Sequence, residues 1–385
     1  MNTKITEQDF ENYFNQAPEY KVRCGGRVEV LGNHTDHNHG LCCAMTCDLE
    51  IYGFLKERKN NTIEIISVGY NPCLVSLDDL EPNLDDFASS QGLVRGVAKY
   101  FIDHGYQIGG FSLYTDSSIF PGAGVSSSAA FESLGAQIFN VLFNDGKIGK
   151  ISLAKAGQFA ENAYFGKKSG LLDQIGTGFG GISYIDFENI SNPKVETVDF
   201  PFEDLHFVIV NTGGSHAELN DLYSSIPENM WSAAKKIGHE YLREGTLQEI
   251  SLCPDLTKME FNRAKHFYDE NERATIMKRA LLNKDKSLFL KLINESRKSS
   301  TELLKNMMVG DLYEGSPLQA CDRAMKIMED SGACRINGGG FAGSIICVVP
   351  SEYLERFIQQ MGEYYGDNNV KEVHMSKYGP TVERL

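Results

Sequence analysis

The residues best suited to chemistry are a run of hydroxyls beside glycines, and two acids downstream of it. Phe120-Pro121-Gly122-Ala123-Gly124-Val125-Ser126-Ser127-Ser128 follows a strand-like run at 111–114, and Phe131, Leu134, Ile138 and Leu142 then recur at helical spacing. A glycine turn opening into a helix gathers free backbone N–H groups, hydroxyls and the positive end of a helix dipole at one point, which suits a phosphate. The same residues also describe an ordinary Ser-capped helix after a turn, so the rest of the chain must decide. Downstream stand Glu161, in Gln158-Phe159-Ala160-Glu161-Asn162, and Asp173, in Gly170-Leu171-Leu172-Asp173-Gln174. An acid flanked by apolar residues, as Asp173 is, either caps a helix or is held where water is restricted.

A second polar patch lies earlier, from Gly25-Gly26-Arg27-Val28-Glu29 through Gly32-Asn33-His34-Thr35-Asp36-His37-Asn38-His39-Gly40. Three readings compete for it. It is a pocket in which His34 and Asp36 bind vicinal hydroxyls, a metal site using His34, His37, His39, Cys42, Cys43 and Cys47, or a solvated loop. A tetrahedral site usually needs two separated ligand pairs, whereas this is one crowded patch whose cysteines sit in an apolar, core-like run. Gly176–Gly181 and Gly338–Gly343 both match GxGxxG. A dinucleotide fingerprint runs from strand into helix, whereas strand-like runs follow both of these, so both read as loops of close backbone approach.

The elements that must position these groups read as strands near 20–31, 49–57, 62–68, 111–114, 182–187, 206–212 and 344–349. Helices are expected over 6–16 and 86–104, after Ser128, and near 228–243, 258–283, 286–308, 316–331 and 351–363. Residues 263–273 read as a charged, exposed helix face. Strands and helices mix without strict alternation, so the expected class is α+β with two lobes and a cleft, divided as 1–190 and 191–385. The 385 residues, 42% hydrophobic, suffice for two cores. Lys+Arg of 37 against Asp+Glu of 52 gives −15, which argues against nucleic acid or an anionic membrane as partner. Any phosphate must therefore be held by local donors. The acidic, polar first residues are not those of a signal peptide, no apolar run is long enough to span a bilayer, and nine scattered cysteines suit a cytoplasmic protein. Nothing in these patterns specifies an oligomeric state.

Taken in order, these stretches resemble the GHMP sugar kinases, most closely the galactokinase branch, over nearly the whole chain. Arg27 to Asp36 is similar to that branch's N-terminal signature, Pro121 to Ala129 to its triple-serine phosphate motif, and Gly338 to Gly343 to its third, glycine-rich motif. Glu161 and Asp173 fall at the family spacing, and His216 with Tyr223 fits the segment lining the sugar. The resemblance implies an S5-like first lobe, a ferredoxin-like second lobe, and transfer of a phosphoryl group from ATP to a small sugar. It implies that Gly122, Gly124, Ser126, Ser127 and Ser128 bind nucleotide and that Ser128 and Glu161 hold Mg²⁺. Asp173 would orient or deprotonate the sugar hydroxyl at C1, with Arg27 stabilising it. Asn33, His34, Asp36, Gly170 and Tyr223 would contact sugar. Phosphoryl transfer asks mainly for alignment and charge neutralisation, which this set supplies.

The departures cluster around sugar and base. Asn33 stands where the branch has an acid that meets the sugar's C6 hydroxyl, Glu29 where it has Asn, His37 where it has Tyr, and Ser90 where a Trp is common. Ser225 and Ile226 replace an arginine pair. Asn at position 33 would tolerate a C6 carboxylate that Glu repels, so a kinase for galacturonate or arabinose is the second expectation. A sugar- and ATP-binding sensor is the third, though it has no reason to keep Arg27, Ser128, Glu161 and Asp173 together.

Overall fold

The computed structural model describes residues 5–167, 169–213 and 219–385. Among these, the strands are β1 Tyr20–Leu31, β2 Leu41–Glu57, β3 Thr62–Ser67, β4 Cys73–Ser76, β5 Phe111–Ser117, β6 Ile182–Asp186, β7 Lys194–Val198, β8 Leu205–Asn211, β9 Ala333–Asn337, β10 Ser344–Pro350, β11 Val370–Val373 and β12 Thr381–Arg384. The helices are α1 Glu7–Phe14, α2 Ser90–Asp103, α3 Ser127–Phe143, α4 Lys150–Ala160, α5 Leu172–Gly178, α6 Asn220–Lys236, α7 Leu247–Leu252, α8 Lys258–Leu282, α9 Lys286–Ser299, α10 Pro317–Ile327 and α11 Leu354–Tyr365. No helix among the described residues is long and apolar enough to cross a membrane.

The first sheet runs β12-β1-β2-β5-β3-β4, with β6 on β2 and β7 on β6. The expected strand at 49–57 is only the far half of β2. Its near half, Leu41–Met45, carries Cys42 and Cys43 and pairs with β6, while Ile51–Glu57 pairs with β5. Cys42, Cys43 and Cys47 are fully buried in that strand, so the apolar run does pack as core.

The second sheet is β11-β8-β10-β9, and its period-2 alternation sorts side chains to two faces. Val208, Val210, Ile345 and Cys347 pack under α10 and α11. Phe207, Ile209, Ile346 and Val348 join Val28, Val30 and Met45 of the first sheet in one shared core. A division at 190 therefore needs adjusting. β7 extends the first sheet beyond that point, and β12 returns to pair with β1 through Tyr20↔Arg384 to Arg23↔Thr381.

Two local expectations are corrected. Gly176 and Gly178 are not in a loop but lie in α5, although close approach is real: a Cβ on Gly176 would sit 2.9 Å from Arg27 Cβ. The 263–273 stretch is not an exposed face. Arg263, His266 and Glu270 recur at helical spacing on the side of α8 turned inward, and each finds a hydrogen-bonding partner there.

Candidate active site

β1 is bulged between Gly25 and Arg27 and again between Glu29 and Leu31. A bulge re-aims the side chains beside it, and both bulges here flank polar residues. Arg27 lies buried between them. Its Nε donates to Asp173 Oδ1 at 2.8 Å and its Nη1 to the Gly124 carbonyl at 2.6 Å. One guanidinium thus joins the acid to the glycine turn. Gly124 has φ +69°, and a Cβ there would lie 2.1 Å from Ser344 Oγ, so the turn requires glycine. Asp173 stands in the first turn of α5, and its second oxygen accepts the Ser126 hydroxyl at 2.7 Å. Burial alone would raise the Asp173 pKa, but Arg27, Lys167 and the Ser126 bond outweigh it and the shift is downward. The carboxylate is ionised and aimed.

Ser126 occupies the left-handed region at φ 56°, and α3 begins at Ser127. One turn-and-helix junction thus holds Ser127, Ser128 and the glycines together. Ser128 Oγ donates to Glu161 Oε1 at 2.6 Å, while Gln174 bridges Glu161 Oε2 at 3.1 Å and Glu132 Oε2 at 3.0 Å. Glu161 is completely buried. Burial, with Glu161 nearby, pushes the Glu132 pKa well above the carboxylate range.

The signature loop forms the other wall. A Cβ on Gly170 would fall 2.3 Å from Asp36 Oδ2, so a bare backbone faces that carboxylate. The His34 and Tyr223 rings are 5.1 Å apart. His34 Nε2 lies 2.9 Å from the Gly339 carbonyl, which can only accept, so this nitrogen carries the proton. His34 Nδ1 must then accept from His37 Nε2 at 3.4 Å, and His37 Nδ1 from the Asn38 amide at 3.0 Å. Both rings are neutral: burial first, with nearby cations, takes His34 down to about 4. Asn33 is equally committed. Its Nδ2 donates to Glu29 Oε1 at 2.9 Å and to the Gly338 carbonyl at 2.8 Å, and its Oδ1 accepts from Asn306 at 2.8 Å. Arg335, fully buried, completes the pair by binding Glu29 Oε1 at 3.1 Å.

Arg27, Asp173 and the 122–128 turn therefore share one site, with Ser128 and Glu161 at one side. His34, Asp36, Gly170 and Tyr223 line its other side. Residues 8–57 match the galactokinase galactose-binding signature, and residues 92–181 match the GHMP kinases N terminal domain. The chain is 29% identical to a galactokinase of Fusobacterium nucleatum, with 93% of this chain and 92% of the relative aligned. It is also 29% identical to one of Clostridium tetani, over 95% and 93%. The crystal structure of Lactococcus lactis galactokinase complexed with galactose superposes with a TM-score of 0.83 at 23% identity, covering 98% of each chain. Methanococcus jannaschii mevalonate kinase gives 0.66 at 16% identity, over 93% and 98%.

The chain carries a GHMP kinase N-terminal domain behind a galactose-binding signature. It is a phosphotransferase with an alcohol group as acceptor, it uses ATP, and it is similar to galactokinases over more than nine-tenths of its length.

Several residues that shape this kinase's site were not legible as such. Glu270, on α8, accepts the Gly32 amide at 3.1 Å and the Asn33 amide at 3.3 Å, and His266 meets the Asn33 carbonyl at 2.9 Å. Asn271 takes the Leu41 amide at 2.7 Å, and Trp231 on α6 donates to the His37 carbonyl at 3.0 Å. Asn337 accepts the Glu29 amide at 3.0 Å and donates to the Gly124 carbonyl at 3.1 Å. A helical period along 263–274 was the one available signal for Glu270 and His266. The expected role of His216 falls outside the described residues.

Proposed function

We propose that this kinase is a galactokinase, transferring the γ-phosphoryl group of Mg²⁺-ATP to the C1 hydroxyl of galactose with release of ADP. The observation that carries the reading is the Arg27–Asp173–Ser126 assembly. It sets an ionised carboxylate against the turn whose amides and hydroxyls suit the nucleotide phosphates. Asp173 accepts the proton of, or aligns, the attacking hydroxyl. Arg27 keeps that acid ionised and offsets charge on the group in flight. His34, Asp36, Gly170 and Tyr223 frame the sugar, and directed hydrogen bonds of this kind discriminate strongly among epimers.

The donor set suits Mg²⁺. A buried carboxylate and a hydroxyl oxygen converge at 2.6 Å, and no group of three or more His, Cys, Asp or Glu among the described residues forms a cage. Ser128 and Glu161 would hold the ion, with phosphate and water completing its shell. Bound there, it would neutralise charge on the phosphates.

Asn33 favours a C6 hydroxyl over a carboxylate. Both of its N–H bonds go to protein acceptors, leaving only a lone pair of Oδ1 for a ligand, and a lone pair receives a hydroxyl proton but repels a carboxylate. The test is an ADP-release assay over galactose, galacturonate, arabinose, glucose and N-acetylgalactosamine, with the phosphorylated carbon located by NMR. Turnover of galactose at C1 is expected. Turnover confined to galacturonate, or tight sugar binding without turnover, would overturn the reading.

A further inference from the structure

Lys167 belongs to none of the motifs described above, yet the backbone is shaped to bring it to the site. After α4 the chain makes a π-helical turn, Glu161–Phe165, and π turns often mark functional positions. Gly166, at φ 82°, then reverses the chain, and the Lys167 amide closes on the Glu161 carbonyl at 3.0 Å. A Cβ on Gly166 would lie 2.2 Å from the Phe87 ring, so this reversal needs glycine. Its result is that Lys167 Nζ sits 2.9 Å from Glu161 Oε1, the oxygen that also accepts the Ser128 hydroxyl.

The charge around this point leaves a triphosphate short of cations. The 120–128 turn contains no basic residue, and the whole chain carries −15. Arg27 is already divided between Asp173 and the Gly124 carbonyl. Lys167 is differently placed. Its partner Glu161 is wholly buried and fixed, whereas the lysine side chain is 48% exposed and its flexible stem can swing. Were Glu161 and Ser128 to hold Mg²⁺, Lys167 would leave Oε1, and the phosphates bound with the ion would offer its ammonium charged acceptors.

We propose that Lys167 is a nucleotide-phosphate ligand, parked on Glu161 and transferred to a β- or γ-phosphate oxygen when ATP binds. This rests on the kinase reading of the same site and adds to it a phosphate-binding cation outside the serine-rich turn. Because Ser128 and Glu161 would hold the ion that travels with the outer phosphates, the lysine would serve those and not the α-phosphate.

Equilibrium binding of ATP and of AMP is measured by calorimetry, with and without Mg²⁺, for the wild-type protein and the K167M, K167R and K168M variants. Thermal melts and sugar binding report folding. K167M is expected to weaken ATP binding tenfold or more with Mg²⁺, and by less without it, and to leave AMP and sugar binding unchanged. K167R should recover most of the loss. Unchanged or tighter ATP binding by K167M overturns the assignment, as does an equal loss for AMP. So does an equal loss for K168M. Failure of the wild-type protein to bind ATP would instead sink the kinase reading itself.

Discussion

Arg27 and Asp173 lie 146 positions apart in sequence, yet their side chains meet at 2.8 Å, and the same arginine holds the Gly124 carbonyl at 2.6 Å. The acid and the phosphate turn are thereby fixed relative to each other before any substrate arrives. A lysine could satisfy one of those acceptors but lacks the forked geometry to satisfy both.

Asp173→Asn should therefore retain ATP affinity while kcat falls by roughly 10²–10⁴-fold, the range for loss of a positioned acid–base group. Arg27→Lys should lose kcat more than KM. Steady-state kinetics with parallel nucleotide titrations checks both. Near wild-type kcat in Asp173→Asn would defeat the role given to that residue.

Acid should weaken sugar binding before it weakens catalysis. Burial first, with Glu29 nearby, raises the Asp36 pKa from 3.8 to about 6, whereas that of Asp173 is lowered. As pH falls through about 6, Asp36 takes a proton and ceases to be a full acceptor, so the sugar KM rises while kcat at saturating sugar holds. The native state binds this proton more readily than the unfolded chain, so Asp36 adds stability as pH falls from about 6 toward 3.8, and the loss is not unfolding. A sugar KM that stays flat between pH 7 and 5, or one equally steep in Asp36→Asn, would contradict this.

Glu29 and Asn33 should behave as one unit. Asn33→Glu alone sets two carboxylates where an amide and an acid now meet at 2.9 Å, and Glu29→Asn alone strands the buried Arg335 charge. Each single change should cost about 3–5 kcal/mol, as breaking a buried pair does. The double variant keeps one acid and one amide and should recover much of that loss, a coupling that urea unfolding measures directly. Asn33→Glu by itself is then a poor probe of sugar preference, since its first effect falls on Glu29.

Glu270→Gln should loosen the signature loop from a distance. Burial would raise the Glu270 pKa, but Arg273, His266, Arg335 and the Ser296 bond bring it from 4.5 down to about 2. Its contribution to stability is complete above 4.5 and is lost as pH falls toward 2, so the variant should show a flatter acid limb in stability. The sugar KM should rise with little change in the ATP KM. An effect on ATP alone would place the residue elsewhere.

Much of this site could be read from residue order. The 120–128 turn, Arg27, Glu161 and Asp173 each sit in a local pattern whose chemistry is local too. Glu270, His266 and Asn306 could not be read that way, because each acts on a loop more than 230 positions away and stands in a helix or connecting segment that looks solvated. The 263–273 stretch misled because a charged helix face is usually wet, whereas here every inward charge has a partner. Lys167 escaped because its position depends on a π turn and a glycine reversal, neither of which has a periodic signature. β12 shows the same limit for the fold: four residues of strand acquire meaning only when β1 lies beside them.

The apolar seam in which Val28, Met45, Phe207, Ile209, Met277 and Ile346 meet has a consequence for how ligands come and go. Swinging the halves of the molecule apart like a jaw would wet that seam. Ligand exchange at the Arg27–Asp173 site is then expected to depend on short local excursions of the residues around it, and release of spent nucleotide on how fast those few residues yield.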